Sequence, residues 1–191
     1  MDVIQKLSTL PCQQAAPFLL GKYLVRTLDN GTQLTGKIVE TEAYHQEDEA
    51  AHSFRGKTPS NSIMFGSAGY LYVYFTYGMH YCFNVVCGPK GSGEAILIRA
   101  IEPLKGIELM KKFRHTDKLH QLTNGPAKSA QAFQISKNLN GHDLKKPPFQ
   151  LMQGDKVQTS DIVTTKRIGI TKNTTANLRF YIKNNPFVSK T

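Results

Sequence analysis

The sequence predicts a single domain with an α+β fold, a mixed α/β arrangement in which antiparallel strands predominate. Short segments that alternate apolar and polar residues recur along the chain, and the connections between them are too short for parallel crossovers. At least two segments with helical spacing flank these strands. A chain of 191 residues is long enough for one substantial core, so we expect residues 1–191 to form one domain.

The first predicted elements are a β-hairpin and the strand that follows it. Residues 19–34 alternate as two strands would, and Asp29-Asn30-Gly31 supplies residues that tolerate positive φ at a turn. We expect a new strand to begin after Gly36. Its period of two predicts one face with Ile38, Glu40, Glu42 and Tyr44, and an opposite face with Val39, Thr41 and Ala43. Glu42 and Tyr44 therefore point the same way.

A polar loop and an aromatic hairpin come next. Turn-forming residues are frequent in residues 45–62, which predicts a loop of functional interest. In residues 70–86, Tyr70, Tyr72 and Tyr74 alternate with apolar residues, which places the three tyrosines on one face and Tyr77 near the tip. Such tyrosines either pack in the sheet or, on a basic chain, stack on nucleic-acid bases.

The second half of the chain offers helices and further strands. Residues 95–100 predict a buried strand. Pro103 suits the first turn of a helix with Leu104, Ile107, Met110 and either Phe113 or Arg114 at helical spacing. A second helix is predicted from Pro126, with Ala127, Ala130 and Phe133 inward. Residues 138–148 predict a loop, and strands are predicted near residues 149–152, 162–165 and 178–183.

The charge of the chain indicates an anionic partner. Lys and Arg total 24 against 14 Asp and Glu, a net charge of +10, and the resulting positive field attracts polyanions. Nucleic acid is the partner that we expect, although excess lysine can also serve only to keep a surface hydrated. The lysines form no long block, which favours a folded basic surface over a disordered arm.

Targeting and cysteine signals are weak. No apolar run approaches the ~18 residues of a membrane helix, and the first 20 residues make a poor signal peptide, so we expect no membrane partner and a cytosolic or nuclear location. Cys12, Cys82 and Cys87 are odd in number and form no Cys-x-x-Cys pair. We therefore expect reduced, partly buried cysteines, with neither a disulfide framework nor a thiolate zinc site.

Two glutamates on the strand after Gly36 are the first candidates for chemistry. A partly desolvated glutamate beside an aromatic ring can hold and orient a water molecule as a general base. A surface pair of glutamates is the alternative reading, and the spacing does not separate Glu40 from Glu42. Glu42, His45 and His52 could also form a metal set, but no His-Glu-x-x-His helix accompanies them, and a histidine such as His52 is more often a hydrogen-bonded structural residue than a ligand.

An ordered set of motifs extends from about Leu19 to Ser189, nearly the whole chain. Its members are Glu40-Thr41-Glu42-Ala43-Tyr44, Asp48-Glu49-Ala50-Ala51-His52-Ser53, Leu71-Tyr72-Val73-Tyr74 with Tyr77-Gly78-Met79, Asn84, Leu97-Ile98-Arg99-Ala100-Ile101-Glu102-Pro103-Leu104, Gly125-Pro126-Ala127-Lys128 and Arg167-Ile168-Gly169-Ile170. Each motif is weak alone, but the set closely resembles the alkyladenine (3-methyladenine or methylpurine) DNA glycosylase family.

The resemblance implies a monofunctional DNA glycosylase of base excision repair that needs no cofactor and no metal. Such an enzyme cuts the bond between a damaged purine and deoxyribose in double-stranded DNA and leaves an abasic site. It also implies a curved sheet flanked by helices and an aromatic hairpin that inserts into DNA. We expect a monomer, in the bacterial cytoplasm near the nucleoid or, in a eukaryote, in the nucleus.

The resemblance also assigns roles to single residues. Glu42 matches the general base, and Arg99 matches a residue near the attacking water. Tyr77 matches the wedge that fills the gap left by a flipped nucleotide. The walls of the base pocket correspond to Tyr44, His52 and Tyr74. Asn84 matches the position that crowds the 2-amino group of guanine. Ile168 matches a residue that makes an apolar contact at the side of the pocket.

The sequence departs from the family pattern in three places. His80 stands where an aromatic residue is expected after Gly78-Met79, the loop at residues 45–51 is somewhat short, and a long basic N-terminal extension is absent, which fits a compact bacterial form. Three rival functions remain open: a metal-dependent hydrolase, a noncatalytic nucleic-acid-binding domain that stacks bases on its tyrosines, and a bifunctional glycosylase with a lysine Schiff base.

Overall fold

A computed structural model, which describes residues 2–76 and 78–189, confirms the predicted α+β class. The described residues form four α-helices and one eight-stranded sheet. The helices are α1 (Val3–Leu7), α2 (Cys12–Leu19), α3 (Ile107–Arg114) and α4 (Pro126–Ala132). The strands are β1 (Tyr23–Thr27), β2 (Gln33–Tyr44), β3 (Leu71–Thr76), β4 (His80–Cys87), β5 (Glu94–Lys105), β6 (Phe149–Met152), β7 (Ile162–Thr165) and β8 (Arg179–Ile182).

The sheet is antiparallel throughout, with the order β3-β4-β5-β2-β1-β6 and a branch through β8 to β7. β2 pairs with β5 along one edge. On its other edge, β1 covers the first half of β2, and β8 pairs with residues 40–42. The second half of β2 is therefore enclosed on both sides, which is the environment in which Glu40 and Glu42 lie.

Helices cover one face of the sheet and bury the main core there. Phe83, Phe133 and Phe149 are fully buried, and burial of each such ring stabilises the fold by about 1.5–3 kcal/mol. α2 packs on β2, where the Thr41 hydroxyl donates a 2.9 Å hydrogen bond to the Ala16 carbonyl. Because neighbouring side chains alternate along a strand, Glu42 points to the opposite face. Among the described residues, no helix has both the length and the apolar character needed to cross a membrane.

The start of the predicted first hairpin was wrong, and its turn is confirmed. Leu19 belongs to α2, so β1 begins at Tyr23, and Gly31 adopts a φ of 79° in the turn at residues 28–32. No new strand begins after Gly36, because β2 is continuous through it. A Cβ at Gly36 would lie 2.3 Å from a side-chain atom of Ile101 and 3.0 Å from one of Phe133, so β2 can run so close to the core only with glycine at this position.

The helix predicted from Pro103 also begins later than expected. Pro103 lies inside β5, where it pairs with Gly36 beside a register shift, a position that tolerates a residue without an N–H group. α3 begins at Ile107, after Gly106 with a φ of 80°. The predicted helical spacing agrees with the structure from Ile107 onward, since Met110 lies in α3 and is fully buried. α4 begins at Pro126 as predicted, the aromatic hairpin is formed by β3 and β4, and the three late strands lie at the predicted positions.

The simple alternation predicted for residues 38–44 was wrong at its start. The register between β2 and β5 shifts between Ile38 and Glu40, and again between Glu40 and Thr41. Ile38 consequently packs in the main core with Ala43, whereas Val39 packs in a separate cluster with Ala100 and Phe187. A β-bulge of this kind locally reverses the facing of side chains, and a period-two reading does not reveal it.

Candidate active site

A cavity of about 540 Å³ lies where the second half of β2 meets the aromatic hairpin. It brings together six residues predicted from the sequence, each on a different strand or loop: Tyr44, His52, Tyr74, Asn84, Arg99 and Ile168. Pockets for small ligands are commonly of this volume. Glu42 does not line the cavity but lies directly behind its wall, fully buried and bonded to three of the lining residues.

The carboxylate of Glu42 is held by three donors. Tyr44 Oη donates to Oε2 at 2.8 Å, the Ile168 N–H donates to Oε1 at 2.8 Å, and Arg99 Nη1 lies 3.2 Å from Oε1. Burial raises the pKa of Glu42 above its ordinary value, although Arg99, the Ile168 N–H and the Tyr44 hydroxyl each act to lower it. A carboxylate offers about four lone-pair sites, so among the described residues one site on Oε2 has no donor.

Glu40 is also fully buried, but its surroundings differ from those of Glu42. Its Oε1 accepts from Arg99 Nε at 3.3 Å, Arg179 Nε at 2.6 Å and Ser189 Oγ at 2.8 Å, while Oε2 accepts from the Ser189 N–H at 2.7 Å. Three donors surround Oε1 and one reaches Oε2, and of these donor residues only Arg99 lines the cavity, whereas all three partners of Glu42 line it. The two glutamates, which the sequence could not separate, thus differ in their surroundings, because Glu42 contacts only residues that line the cavity.

An aromatic cluster forms the opposite wall. The Tyr72 and Tyr74 rings stack with centroids 5.6 Å apart, and the His52 ring meets Tyr74 edge-on at 4.6 Å. Tyr72 Oη lies 3.0 Å from His52 Nδ1, and burial raises the pKa of Tyr72 to about 12, so the phenol keeps its proton at neutral pH. The sequence left Tyr72 without a role. Tyr72 lies two residues before Tyr74, and this spacing on a strand indicates that the two rings share a face and can support each other.

His52 is accessible from the cavity but electrically neutral near pH 7. It counts among the exposed residues, yet the protein around the ring lowers its pKa by desolvation. The Nδ1 edge of the ring faces Tyr72, whereas the exposed part of the side chain lies in the cavity. A neutral imidazole is compatible with a cationic ligand, which a protonated ring would repel.

Tyr44 is fixed from behind by an ion pair that the sequence did not reveal. The Arg167 guanidinium lies 4.6 Å from the centre of the Tyr44 ring, donates to the Ala43 carbonyl at 3.0 Å, and pairs with Asp48, where both side chains are buried. Asp48 also accepts from Asn173 Nδ2 at 3.0 Å. Burial alone would raise the pKa of Asp48, but the hydrogen bonds from Arg167 and Asn173 outweigh it and lower that pKa.

Ile168 contributes more than the apolar contact assigned to it. Its side chain is 36% exposed at the cavity, its N–H donates to Glu42, and its carbonyl accepts from Arg99 Nη1 at 3.3 Å. The backbone of this residue thus joins the two charged groups. Asn84 lines the cavity as a buried residue, and its Oδ1 has no hydrogen-bond partner among the described residues.

The wedge residue predicted from the sequence, Tyr77, lies outside the described residues. The hairpin around it projects beyond the sheet, because β4 pairs with β5 only from Asn84 onward. Phe75 and Met79 near the tip are 55% and 69% exposed, and the Phe75 ring packs on Tyr81 across the two strands at 5.0 Å. An exposed apolar tip is compatible with insertion into a partner.

The three side chains proposed for a metal set do not converge. Glu42 pairs with Arg99, His52 faces Tyr72, and His45 lines a second cavity with Glu47 and Glu94. In residues 2–76 and 78–189, no group of three or more His, Cys, Asp or Glu side chains has an arrangement that could hold a metal ion. Cys12, Cys82 and Cys87 are buried free thiols, and burial raises the pKa of Cys82 at the cavity to about 11.

Comparisons with known proteins find relatives over nearly the whole chain. A family model described as Methylpurine-DNA glycosylase (MPG) matches residues 6–186. A protein of Carboxydothermus hydrogenoformans is 54% identical over 173 residues, or 90% of each chain. One of Prosthecochloris aestuarii is 49% identical over 189 residues, which are 98% of this chain and 91% of the other. One of Methanoculleus marisnigri is 47% identical over 175 residues, or 90% of each. All three carry the name "Putative 3-methyladenine DNA glycosylase".

Proposed function

The chain belongs to the methylpurine-DNA glycosylase family and is a hydrolase of that class, and from this premise we propose how it acts. It rotates an alkylated or deaminated purine out of double-stranded DNA into the cavity, where Glu42 activates a water molecule that cleaves the N-glycosidic bond. The observation that carries the proposal is the buried Glu42 carboxylate, fixed behind the cavity wall by three donors that all line the cavity, with one lone-pair site on Oε2 that no described residue occupies.

The need to flip the base follows from the structure of DNA. A purine inside a duplex is inaccessible, and its removal from the stack costs a few kcal/mol, less for a damaged or mispaired base. The cavity opens beside the exposed tip of the aromatic hairpin. The proposed site for the flipped base and the hairpin proposed to fill the gap in the DNA stack are therefore neighbours on one surface. Tyr77 is the proposed wedge, on the strength of the family pattern and of the exposed Phe75 and Met79 near it.

Aromatic walls suit the proposed substrates. Alkylation at N3 or N7 leaves a purine cationic, and the faces of Tyr44 and Tyr74 attract cations by about 1–2 kcal/mol when water is excluded. The lowered pKa of His52 keeps positive charge away from the same space. Asn84 is buried in the cavity wall and is the proposed barrier to the 2-amino group of an undamaged guanine.

The chemical step needs a base and a negative charge at the same place. The carboxylate of Glu42 takes a proton from water, the water oxygen bonds to C1′, and the electron pair of the glycosidic bond departs with the purine. The same charge stabilises the oxocarbenium-like sugar as the bond breaks. A cationic lesion leaves as a neutral base, whereas hypoxanthine or ethenoadenine needs an added proton, and none of the described residues stands out as its donor.

Arg99 orients this reaction and does not transfer a proton. Its guanidinium bridges Glu42 and the Ile168 carbonyl, and an arginine stays protonated in proteins. It fixes the carboxylate by an ion pair and contributes a donor near the attacking water. We further propose that the protein acts as a monomer without a cofactor, in the bacterial cytoplasm near the nucleoid or in the nucleus of a eukaryotic host.

The experiment is a base-release assay on four duplexes, with 3-methyladenine, 7-methylguanine, hypoxanthine or ethenoadenine at one position. Each is incubated with enzyme in a chelator, and hot alkali then converts abasic sites into strand breaks. We expect breaks with at least one lesion, no breaks before alkali, and no adduct trapped by borohydride. No breaks with any lesion would refute the proposal, activity lost in chelator and restored by zinc would indicate a metal-dependent hydrolase, and a trapped adduct would indicate a lysine Schiff base.

A further inference from the structure

We propose that Glu40 is a positioning residue that holds Arg99 against Glu42, and that Ser189, in the segment after β8, fixes Glu40 for this purpose. The inference rests on the proposed function, because it concerns the geometry of the general base. It assigns a task to the second buried glutamate of the site and connects the segment around Ser189 with the reaction centre.

The chain of contacts is continuous. Arg99 Nε lies 3.3 Å from Glu40 Oε1, and Arg99 Nη1 lies 3.2 Å from Glu42 Oε1, so one guanidinium bridges two fully buried carboxylates. Ser189 contacts Glu40 twice, through its N–H at 2.7 Å and its hydroxyl at 2.8 Å. Because donors reach both oxygens of Glu40, its carboxylate cannot rotate without the loss of several bonds, and Arg99 is thereby fixed at its Nε edge.

The sheet is irregular at the residues that make this bridge. Ile38 pairs with Ile101 and Glu40 with Ala100, which leaves Val39 as an extra residue on β2. Thr41 then pairs with Ile98, which leaves Arg99 as an extra residue on β5. β-Bulges re-aim side chains and are frequent beside active sites. Here the paired irregularities turn Arg99 toward the face of the two glutamates.

Charge balance gives Glu40 a second effect on Glu42. Two carboxylates, Glu40 and Glu42, face two guanidinium groups, Arg99 from β5 and Arg179 from β8, while Tyr44 and the Ile168 N–H complete the shell of Glu42. Burial is the largest cause of the raised pKa of Glu42, and the negative charge of Glu40 adds to it. Without Glu40, Arg99 still donates to the Ile168 carbonyl, so a displacement of about 1 Å leaves its charge beside Glu42. The loss of the Glu40 charge is then the larger change, and it lowers the pKa of Glu42 and extends its ionised range to lower pH.

The alternative role for Glu40 is purely structural, and it makes different predictions. A structural residue would change stability or folding and would leave the acid limb of the pH profile in place. A positioning residue changes the rate of base release and moves that limb, while lesion binding is retained. The two roles are therefore separated by pH dependence and by the difference between rate and binding.

The test compares Glu40→Gln, Glu40→Asp and the control Glu102→Gln in single-turnover base release at several pH values. Glu102 is a matched control, because it also lies on a central strand and pairs with a lysine and with Asn185, but it has no contact with Arg99. We expect Glu40→Gln to slow base release by about ten- to a hundredfold, since misplacement by about 1 Å can cost that much, with its acid limb at lower pH than in the wild type. Glu40→Asp keeps the negative charge, so we expect the acid limb of its pH profile to stay in place while its rate of base release falls.

A second measurement tests the inference without relying on catalytic activity. The carboxyl carbon of Glu42 is titrated by NMR in 13C-glutamate-labelled wild type, Glu40→Gln and Ser189→Ala, and Glu42→Gln identifies its signal. We expect Glu42 to titrate at lower pH in Glu40→Gln, and Ser189→Ala, which keeps the charge but loosens Glu40, to slow base release less than Glu40→Gln does. If Glu40→Gln does not fold, a normal rate in Ser189→Ala would overturn the inference.

The outcomes separate the two proposals. A wild type without activity on every lesion would defeat the proposed function, while the titration would still test the coupling of the glutamates. An active wild type with an unmoved acid limb and an unmoved Glu42 titration in Glu40→Gln would overturn this inference alone. Loss of base release in Glu40→Gln with normal release in Glu42→Gln would show that Glu40 is the general base.

Discussion

Tyr44 Oη donates a 2.8 Å hydrogen bond to Oε2 of Glu42, so one side chain both lines the cavity and holds the carboxylate behind it. The Tyr44 ring in turn rests on the Arg167 guanidinium, 4.6 Å from its centre. A ring that is fixed at its face and bonded at its hydroxyl is well suited to the wall of a base pocket. The same contact makes the ionisation of Glu42 dependent on a residue that would touch the substrate.

Tyr44→Phe removes this hydrogen bond and keeps the ring. The Tyr44 hydroxyl acts to lower the pKa of Glu42, so its loss raises that pKa further. The general base must be ionised, and activity is lost as the pH falls through its pKa; the acid limb of base release therefore moves to higher pH. At neutral pH we expect a loss of about ten- to a hundredfold, the effect of about 1.5–3 kcal/mol for a hydrogen bond to a charged group.

The matched control for Tyr44→Phe is Tyr23→Phe. Tyr23 also donates its hydroxyl to a carboxylate, Asp155 Oδ1 at 2.7 Å, but on the exposed surface and outside the cavity. Its pH profile is expected to coincide with that of the wild type. An acid limb in Tyr44→Phe at the same pH as in Tyr23→Phe would mean that Tyr44 does not influence the catalytic carboxylate.

Asp48→Asn breaks the buried pair that supports Tyr44. The loss of one partner leaves Arg167 uncompensated, and we expect the free energy of unfolding at pH 7 to fall by about 3–5 kcal/mol. The folded-state pKa of Asp48 is lowered, so its contribution is present above the unfolded-state pKa and lost as the pH falls through the folded-state pKa. Urea unfolding from pH 7 into the acid range measures both effects.

In that series the difference between wild type and Asp48→Asn should shrink as the pH falls. Asp161→Asn, which changes an exposed aspartate, is the control and should unfold like the wild type at each pH. A difference between wild type and Asp48→Asn that stays constant down to the acid range would contradict an ion pair at this position.

Tyr72→Phe tests the support of His52. The substitution removes the hydroxyl 3.0 Å from His52 Nδ1 and keeps the ring stacked on Tyr74. We expect lesion-containing duplex to bind about three- to tenfold more weakly, equivalent to about 0.5–1.5 kcal/mol for one hydrogen bond, with an unchanged melting temperature of the protein. Fluorescence of a duplex with ethenoadenine reports the binding. Equal affinity in the variant would show that His52 needs no such support.

Tyr77→Ala tests the wedge. We expect weaker binding to lesion DNA and a smaller flipping signal from a fluorescent base analogue, because nothing replaces the extruded nucleotide in the stack. Folding should be spared. Phe54→Ala, at an exposed aromatic that lines the second cavity, controls for the loss of a surface ring. An unchanged flipping signal in Tyr77→Ala would eliminate this residue as the wedge.

The sequence predicted the local elements better than the places where strands meet. Turn residues, alternation and helix-start signals placed the aromatic hairpin, α4 and the late strands, because these depend on neighbours in the chain. The paired bulges around Glu40 and Arg99 arise from the register of β2 against β5, which local periodicity does not encode. Pro103 was misassigned for the same reason, since its place in β5 depends on Gly36.

In the candidate site, too, local features could be predicted from the sequence and long-range contacts could not. The residue types that form the cavity could be named from ordered motifs, but the partners that fix them come from distant parts of the chain. Asp48 and Arg167 are separated by 119 residues, and Glu40 and Ser189 by 149. No spacing rule joins such pairs. The different surroundings of Glu40 and Glu42 became visible only from the groups that contact each carboxylate.

The most direct test of the account is single-turnover base release by wild type, Glu42→Gln and Glu102→Gln, over a range of pH, on a duplex with the lesion that the wild type releases fastest among the four. The wild type should show an acid limb above the ordinary glutamate value of 4.5, because burial raises the pKa of Glu42. Glu42→Gln should lose about 10²- to 10⁴-fold in rate and still bind the duplex, and Glu102→Gln should match the wild type. Base release by Glu42→Gln at the wild-type rate would contradict the account.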